Sequence, residues 1–400
     1  MDKGDVKMSS FKEIHDRKNT RSVKWDSVGN IYNLEDTADI LPMWIADMDF
    51  PAPPPVLKAL HDRLEHSIFG YSFMCEECRT AVVNWQTKRN KWVIEPEWLM
   101  FHHGIIPAIT SIIETFTESQ DKILVTPPVY PPFFLLAENQ NREVLYSALV
   151  EHEGQYIIDF KDFEEKLKSA SLFILCNPHN PGGRVWTEDE LREIVRLCSK
   201  HDVLIISDEI HSDLIIGPNR YTPLAKIAGD EKDRIITCLA PTKTFNLAGI
   251  QVAMIVVTDN EKRLKLERHA IAHGTGMLNS FAPVALTAAY NESEPWLEQI
   301  LSVISDNLDF AIGELRQKVP KLRAVKPQST YLLWIDYRDL ELSEEEIMKK
   351  LLLLGKVALE PGSKYGAAGL GYLRLNVACP QTVLAEGIDR IVYALTVNDK

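Results

Sequence analysis

Val203-Leu204-Ile205-Ile206-Ser207-Asp208-Glu209-Ile210-His211 and, further along, Ile235-Ile236-Thr237-Cys238-Leu239-Ala240-Pro241-Thr242-Lys243-Thr244-Phe245-Asn246 share one construction. Each is a short apolar run that ends in an ionisable side chain. Runs of this length, rich in branched residues, read as buried strands. In an open α/β sheet the carboxyl ends of the strands form the edge where ligands bind. The reading therefore sets Asp208 and Lys243 on one edge. Either residue alone would read as a solvated loop position; the pairing carries the weight. A carboxylate can hold a protonated ring nitrogen, and a lysine amine condenses with an aldehyde. The cofactor that presents both groups is pyridoxal phosphate (PLP), whose usual protein partners are such a lysine and such an acid.

A third strand end lies upstream, in Phe173-Ile174-Leu175-Cys176-Asn177-Pro178-His179-Asn180-Pro181-Gly182-Gly183. Thr187-Glu188-Asp189-Glu190 then reads as a capping box that opens a helix with Leu191, Ile194, Val195 and Cys198 on one face. Strand, Asn180 loop, helix and the Asp208 strand make one βαβ unit, which favours a right-handed crossover and a parallel sheet. With Arg374-Leu375-Asn376 added, the segments stand in the order of the aminotransferase class I/II family of fold type I PLP enzymes. The chain resembles that family over roughly residues 41–394. The resemblance implies an α/β fold of the aspartate aminotransferase type. Its large domain has a mainly parallel sheet flanked by helices, and a smaller α+β domain follows. The expected division is an N-terminal segment, 1–50, packing with the small domain; a large PLP-binding domain, 51–290; and a small C-terminal domain, 291–400.

Composition narrows the partners. An apolar fraction of 45% and a charged fraction of 25% over 400 residues are those of an ordinary globular chain. A net charge of −13 argues against nucleic acid or an anionic membrane as the main partner. Met1 to Lys24 contains no apolar core of a signal peptide, and no run is long enough to span a membrane. The expected location is the cytoplasm. Cys75-Glu76-Glu77-Cys78 has CxxC spacing without a second pair, and His102-His103 lacks accompanying ligands, so no metal site is expected.

Other positions gain meaning from the resemblance. Trp44-Ile45-Ala46-Asp47-Met48-Asp49-Phe50 is similar to a segment of the cystathionine β-lyase-like C–S lyase branch, which makes Trp44 a substrate-site candidate. Gly70-Tyr71 matches a tyrosine that reaches the cofactor phosphate of the neighbouring subunit, implying a homodimer with shared active sites. Gly104 opens an apolar helix to about Phe116, and the free N–H groups at Ile105 and Ile106 would suit a phosphate. The proline-held Tyr130 matches an aromatic that stacks on the cofactor ring and borders the substrate. Asn180, Asp208, His211, Thr242 and Lys243 complete the implied cofactor set, with Lys243 catalytic and Arg374 gripping the substrate carboxylate. Three positions depart from common family usage: His211 where many relatives have tyrosine, Ala240 for a serine, and Gln251 for an arginine. Against that usage, Ala240 takes a hydroxyl donor from the implied phosphate cup and Gln251 makes it less cationic.

The implied activity acts on a small amino acid. The expectation is a PLP-dependent C–S β-lyase cleaving L-cystathionine or related S-substituted cysteines to pyruvate, ammonia and a thiol. The alternatives are an aminotransferase moving an amino group between an L-amino acid and a 2-oxo acid and, at greater remove, a cofactor-bearing regulatory interaction protein.

Overall fold

Alternation of side chains along the buried strands decides the architecture. In the computed structural model, which describes residues 11–397, Leu172, Ile174 and Cys176 pack into one apolar cluster with Ile105, Ile109 and Ile112. Phe173 and Leu175, the residues between them, pack into a second cluster with Leu191, Ile194 and Cys198. The sheet is thus covered by helices on both faces, which is why its strands read as unbroken apolar runs. The first ten residues of the expected N-terminal segment, where part of the signal-peptide reading falls, lie outside the described residues. Among the described residues no helix is long and apolar enough to cross a membrane.

The main sheet has seven strands: β1 (Leu99–His102), β2 (Lys122–Val125), β3 (Glu143–Tyr146), β4 (Leu172–Cys176), β5 (Leu204–Asp208), β6 (Ile235–Leu239) and β7 (Ala253–Val257). Their order is β1-β7-β6-β5-β4-β2-β3. The pairings β6-β5-β4-β2-β3 are all parallel, whereas β7 runs antiparallel to both of its neighbours. Helix α1 (Ile105–Phe116) follows β1, and α2 (Glu188–Lys200) joins β4 to β5. At the start of α2 Thr187 Oγ1 accepts from Glu190 N, and Glu190 reaches back to Thr187 N, closing the capping box. Such a cap is worth about 1 kcal/mol.

A second, antiparallel sheet is built from β8 (Arg323–Ala324), β9 (Leu332–Asp336), β10 (Glu360–Pro361) and β11 (Tyr372–Asn376), in the order β8-β9-β11-β10. The long helix α3 (Glu294–Lys318) and the last helix, α4 (Gln381–Thr396), pack together beside it. Asn307 of α3 donates to Val377 O and Cys379 O, both at 2.8 Å, just past the end of β11.

Near the amino end Leu41–Pro42 pairs in parallel with Val357–Ala358. This region holds short helices at Val23–Asp26 and Val28–Tyr32. Lys24 is buried and donates to Asp49 Oδ2 at 2.6 Å; Arg17 bonds Asp47 and Asp49. Apolar periodicity is blind to an element anchored by buried ion pairs. A small hairpin, Val150–His152 with Gln155–Ile157, likewise had no signal in the apolar pattern.

Candidate active site

The carboxyl ends of β4, β5 and β6 open onto a cavity of about 400 Å³ that the second sheet closes from above. Asp208 is the last residue of β5, in register with Cys176 and Cys238. It is buried, and its Oδ1 accepts from Ile210 N at 3.1 Å. Burial pushes its carboxyl up to about 7, opposed by that N–H and by the charge of Lys243. Lys243 sits in a single turn, Pro241–Thr244, directly after β6. Its Nζ enters the cavity and donates to Ala46 O at 2.7 Å. Burial draws the amine down to about 8; Asp47 and Asp208 work against that, and Arg374 adds to it.

The loop after β4 delivers Asn180. It is pinned to the second sheet at Gly183, whose carbonyl accepts from Gln328 N and Ser329 N, each at 2.9 Å. Gly183 has φ +62°, and a Cβ there would lie 2.3 Å from Pro327 Cβ, so only glycine fits. From β11, Arg374 reaches down into the cavity. Its Nη1 donates to Asn180 Oδ1 at 3.1 Å and its Nη2 to Trp44 O at 2.9 Å, while the buried Nε has no partner among the described residues. His211 is also buried with Nδ1 unpartnered; burial, then Lys243 and Arg374, lower its pKa to about 3, so the ring is neutral. Tyr130 lines the cavity edge-on to Phe133, and burial raises its phenol pKa. At the start of α1, Gly104 offers no side-chain cap and Pro107 has no N–H, so the Ile105 and Ile106 N–H groups are left facing the cavity end.

Ile105, Ile106, Tyr130, Asn180, Asp208, His211, Lys243 and Arg374 therefore line one space. Three other candidates do not line it. Thr242 is buried in the lysine turn beside the cavity. Tyr71 is 96% exposed on the surface of its own chain. Trp44, expected to contact substrate, turns its indole away: Nε1 donates to Lys24 O at 3.0 Å and the ring packs against Tyr32. What its segment contributes is backbone. Ile45 and Ala46 form the wall, and the carbonyls of Trp44 and Ala46 hold Arg374 and Lys243.

Glu360 and Tyr365 line the cavity and went unnoticed in the sequence, as did Cys176. Glu360 is placed opposite Arg374 by strand register, which no local pattern encodes. Behind the lysine, Asp213 accepts from Trp85 Nε1 at 3.0 Å and from Thr244 Oγ1 at 2.9 Å, bracing the turn.

The donor set fits PLP and an amino acid. Lys243 and Asp208 line the same cavity, Ile105 and Ile106 at an uncapped helix start line it too, and His211 Nδ1 and Arg374 Nε have no partner among the described residues.

The sequence pattern of the aminotransferase class I and II family matches residues 38–391. Cystathionine beta-lyase PatB of Bacillus subtilis (strain 168) is 42% identical over 389 residues, covering 97% of this chain and all of that one. A PLP-bound structure from Clostridium difficile 630, which bears an aminotransferase name, superposes with TM-score 0.94 at 45% identity, covering 96% of this chain and 99% of the other. Cystalysin from Treponema denticola, whose structure contains pyridoxal 5'-phosphate, superposes with TM-score 0.93 at 32% identity, covering 96% and 98%.

Proposed function

The chain belongs to the aminotransferase class I and II family, and on that footing we propose that it is a PLP-dependent C–S β-lyase that cleaves L-cystathionine or related S-substituted cysteines to pyruvate, ammonia and a thiol. The observation that carries the site is Lys243 Nζ in one cavity with Asp208 and Arg374. Near-complete coverage by a cystathionine β-lyase at 42% identity carries the choice of reaction.

When bound, PLP supplies an aldehyde for the substrate amine and a cationic ring that stabilises negative charge at the substrate Cα. Lys243 would tether it, and Asp208 would hold a proton on its ring nitrogen. Asn180 and His211 would donate to the ring oxygen, with Tyr130 beside the ring. Thr242, the N–H groups of Ile105 and Ile106, and Tyr71 of the partner subunit would hold the phosphate. Arg374 grips the α-carboxylate with its guanidinium fork. That grip would turn the Cα–H bond toward Lys243, whose Nζ, with a pKa drawn down by burial, would take the proton. The thiolate on Cβ, a stable leaving anion, would then depart, and the 2-aminoacrylate left behind takes up water to give pyruvate and ammonia.

With L-cystathionine and no 2-oxo acid, the purified protein releases pyruvate over many turnovers. An aminotransferase would stop after one turnover until 2-oxoglutarate or pyruvate restored its cofactor. A single burst of that kind sinks the lyase reading in favour of amino transfer.

We assign a homodimer with shared sites. Ile68, Phe69, Tyr71 and Phe73 are 71%, 53%, 96% and 79% exposed in the single chain, an apolar stretch of the kind that marks an interface. Mixing Tyr71→Phe subunits with Lys243→Ala subunits restores about a quarter of wild-type activity, since half of the dimers are hybrids and each hybrid has one whole site. No recovery in demonstrated hybrids removes Tyr71 from the neighbour's site. We assign residues 51–290 to the large PLP-binding domain, 291–400 to the small domain and 1–50 to a segment packing with the small domain, a division supported by the pairing of Leu41–Pro42 with Val357–Ala358. Six free thiols suit a reducing compartment, and we assign the cytoplasm.

A further inference from the structure

The apolar helix α1 carries a single ionisable side chain, Glu114, and two histidines of a neighbouring helix gather beside it. His269 and His273 stand one turn apart on the helix Asn260–His273, which packs along α1. At that spacing two side chains share a helix face. His269 Nε2 lies 2.8 Å from Glu114 Oε2, and the two imidazoles stack with ring centres 4.0 Å apart. One ligand atom from each of the three residues lies within 4.8 Å of the other two. An ion pair accounts for Glu114 and His269 but leaves the second imidazole unexplained. His273 is held in one tautomer: its Nδ1 donates to His269 O at 2.9 Å, so Nε2 keeps its lone pair. A hydrogen bond of this kind, from the second ring nitrogen to a carbonyl, is what orients metal-bound histidines. His269 is mostly buried, whereas Glu114 and His273 reach solvent, which leaves the cluster an open side for water. The surroundings add imidazole and no further carboxylate from α1. His102, at the end of β1, is buried with Nε2 unpartnered among the described residues. Burial, then His103 and His269, lower its pKa to about 4, so it is a neutral ring near the cluster. Imidazoles with one carboxylate suit zinc, nickel or copper, and not magnesium or calcium, which take oxygen ligands.

We propose that Glu114, His269 and His273 form a binding site for one divalent transition-metal ion of the zinc class, with water completing its shell. Two histidines and a glutamate are a donor set that zinc accepts. Oxygen and nitrogen ligands at about 2.0–2.1 Å from a tetrahedral ion lie roughly 3.4 Å from each other, so the 2.8 Å pair opens by about half an ångström to admit it. The ion cross-links the last turns of α1 and of the helix Asn260–His273. Ile105 and Ile106 line the active-site cavity from the other end of α1, and none of the three ligands lines it, so the ion takes no part in the chemistry proposed above. Glu114 and His269 are 155 residues apart, which is why no spacing along the chain announces the site.

The test measures binding and melting, not turnover. PLP-loaded protein freed of metal with a chelator is titrated calorimetrically with zinc chloride, and melted with and without the ion. Wild type takes up zinc at this site, one ion per chain, and melts at a higher temperature with it, because the three ligands meet only in the folded chain. Glu114→Gln and His273→Ala, both at exposed positions, each weaken that binding about a hundredfold or more, beyond the 10–100-fold that losing an outer partner of a ligand costs, and abolish the melting shift. Cys75→Ser, which breaks the other close pair of soft ligands, Cys75 and Cys78 with Sγ atoms 3.5 Å apart, binds zinc as wild type does. Magnesium chloride neither binds there nor raises the melting temperature. Absence of zinc uptake in wild type, uptake undiminished in both Glu114→Gln and His273→Ala, or uptake lost in Cys75→Ser overturns the site, as does magnesium binding equal to that of zinc.

Discussion

Lys243→Ala holoenzyme, reconstituted with PLP, turns over L-cystathionine at least about a thousandfold more slowly than wild type, and borohydride no longer fixes the cofactor to the protein. Both losses follow from one atom. Lys243 Nζ lines the cavity and donates to Ala46 O at 2.7 Å. That carbonyl also accepts from Tyr331 Oη at 2.9 Å, so Lys243→Ala leaves it partnered, the fold survives and the defect is chemical. Burial draws the free amine down to about 8, which favours its free-base form near neutral pH over that of an ordinary lysine. A thousandfold loss with the covalent adduct still on another lysine would reassign the tether while leaving the base in place. Unchanged turnover would remove Lys243 from the chemistry.

The second large effect is at Asp208. Asn at this position keeps the shape and can still accept from Ile210 N, but it carries no charge to hold a ring proton. Burial favours a neutral carboxyl, and the Ile210 N–H and the charge of Lys243 act against it; a cationic ring nitrogen bound there would add to them. Asp208→Asn therefore retains part of its PLP and loses about 10²–10³-fold in kcat, the scale of removing one preorganised electrostatic partner. Cofactor content after alkaline release and kcat, measured on the same preparation, separate the two effects. Full turnover at full occupancy would mean that the ring proton is held by some other group.

What was legible in the sequence is what lies close along the chain. Asn180, Asp208 and Lys243 each terminate an apolar strand, so strand and site residue are read in one window. The capping box at Thr187 and the free helix end at Ile105 are equally local. Glu360, Ile45 and Ala46 were not legible because register puts them there: Glu360 stands across from Arg374, and Leu41 across from Val357. Trp44 shows the complementary error. A resemblance located the segment correctly, but only the backbone geometry tells which way the indole points, and it points at Tyr32. The antiparallel course of β7 has no local signature, since burial on both faces carries no information on direction.

The carbonyls of residues 44–47 also set a timetable. Trp44 O meets Arg374 across 330 residues of chain, and Ile45 O and Asp47 O meet Asn376 over a similar span. During synthesis at roughly 5–20 residues per second, the first strip of the cavity wall emerges on the order of 15–65 s before the guanidinium that it will orient. Throughout that interval Met43, Trp44, Met48 and Phe50, all buried in the finished protein, lack the strand and loop they will pack beside. The binding site is thus among the last parts of the molecule to become whole, and its amino-terminal wall must wait for partners made at the far end of the chain.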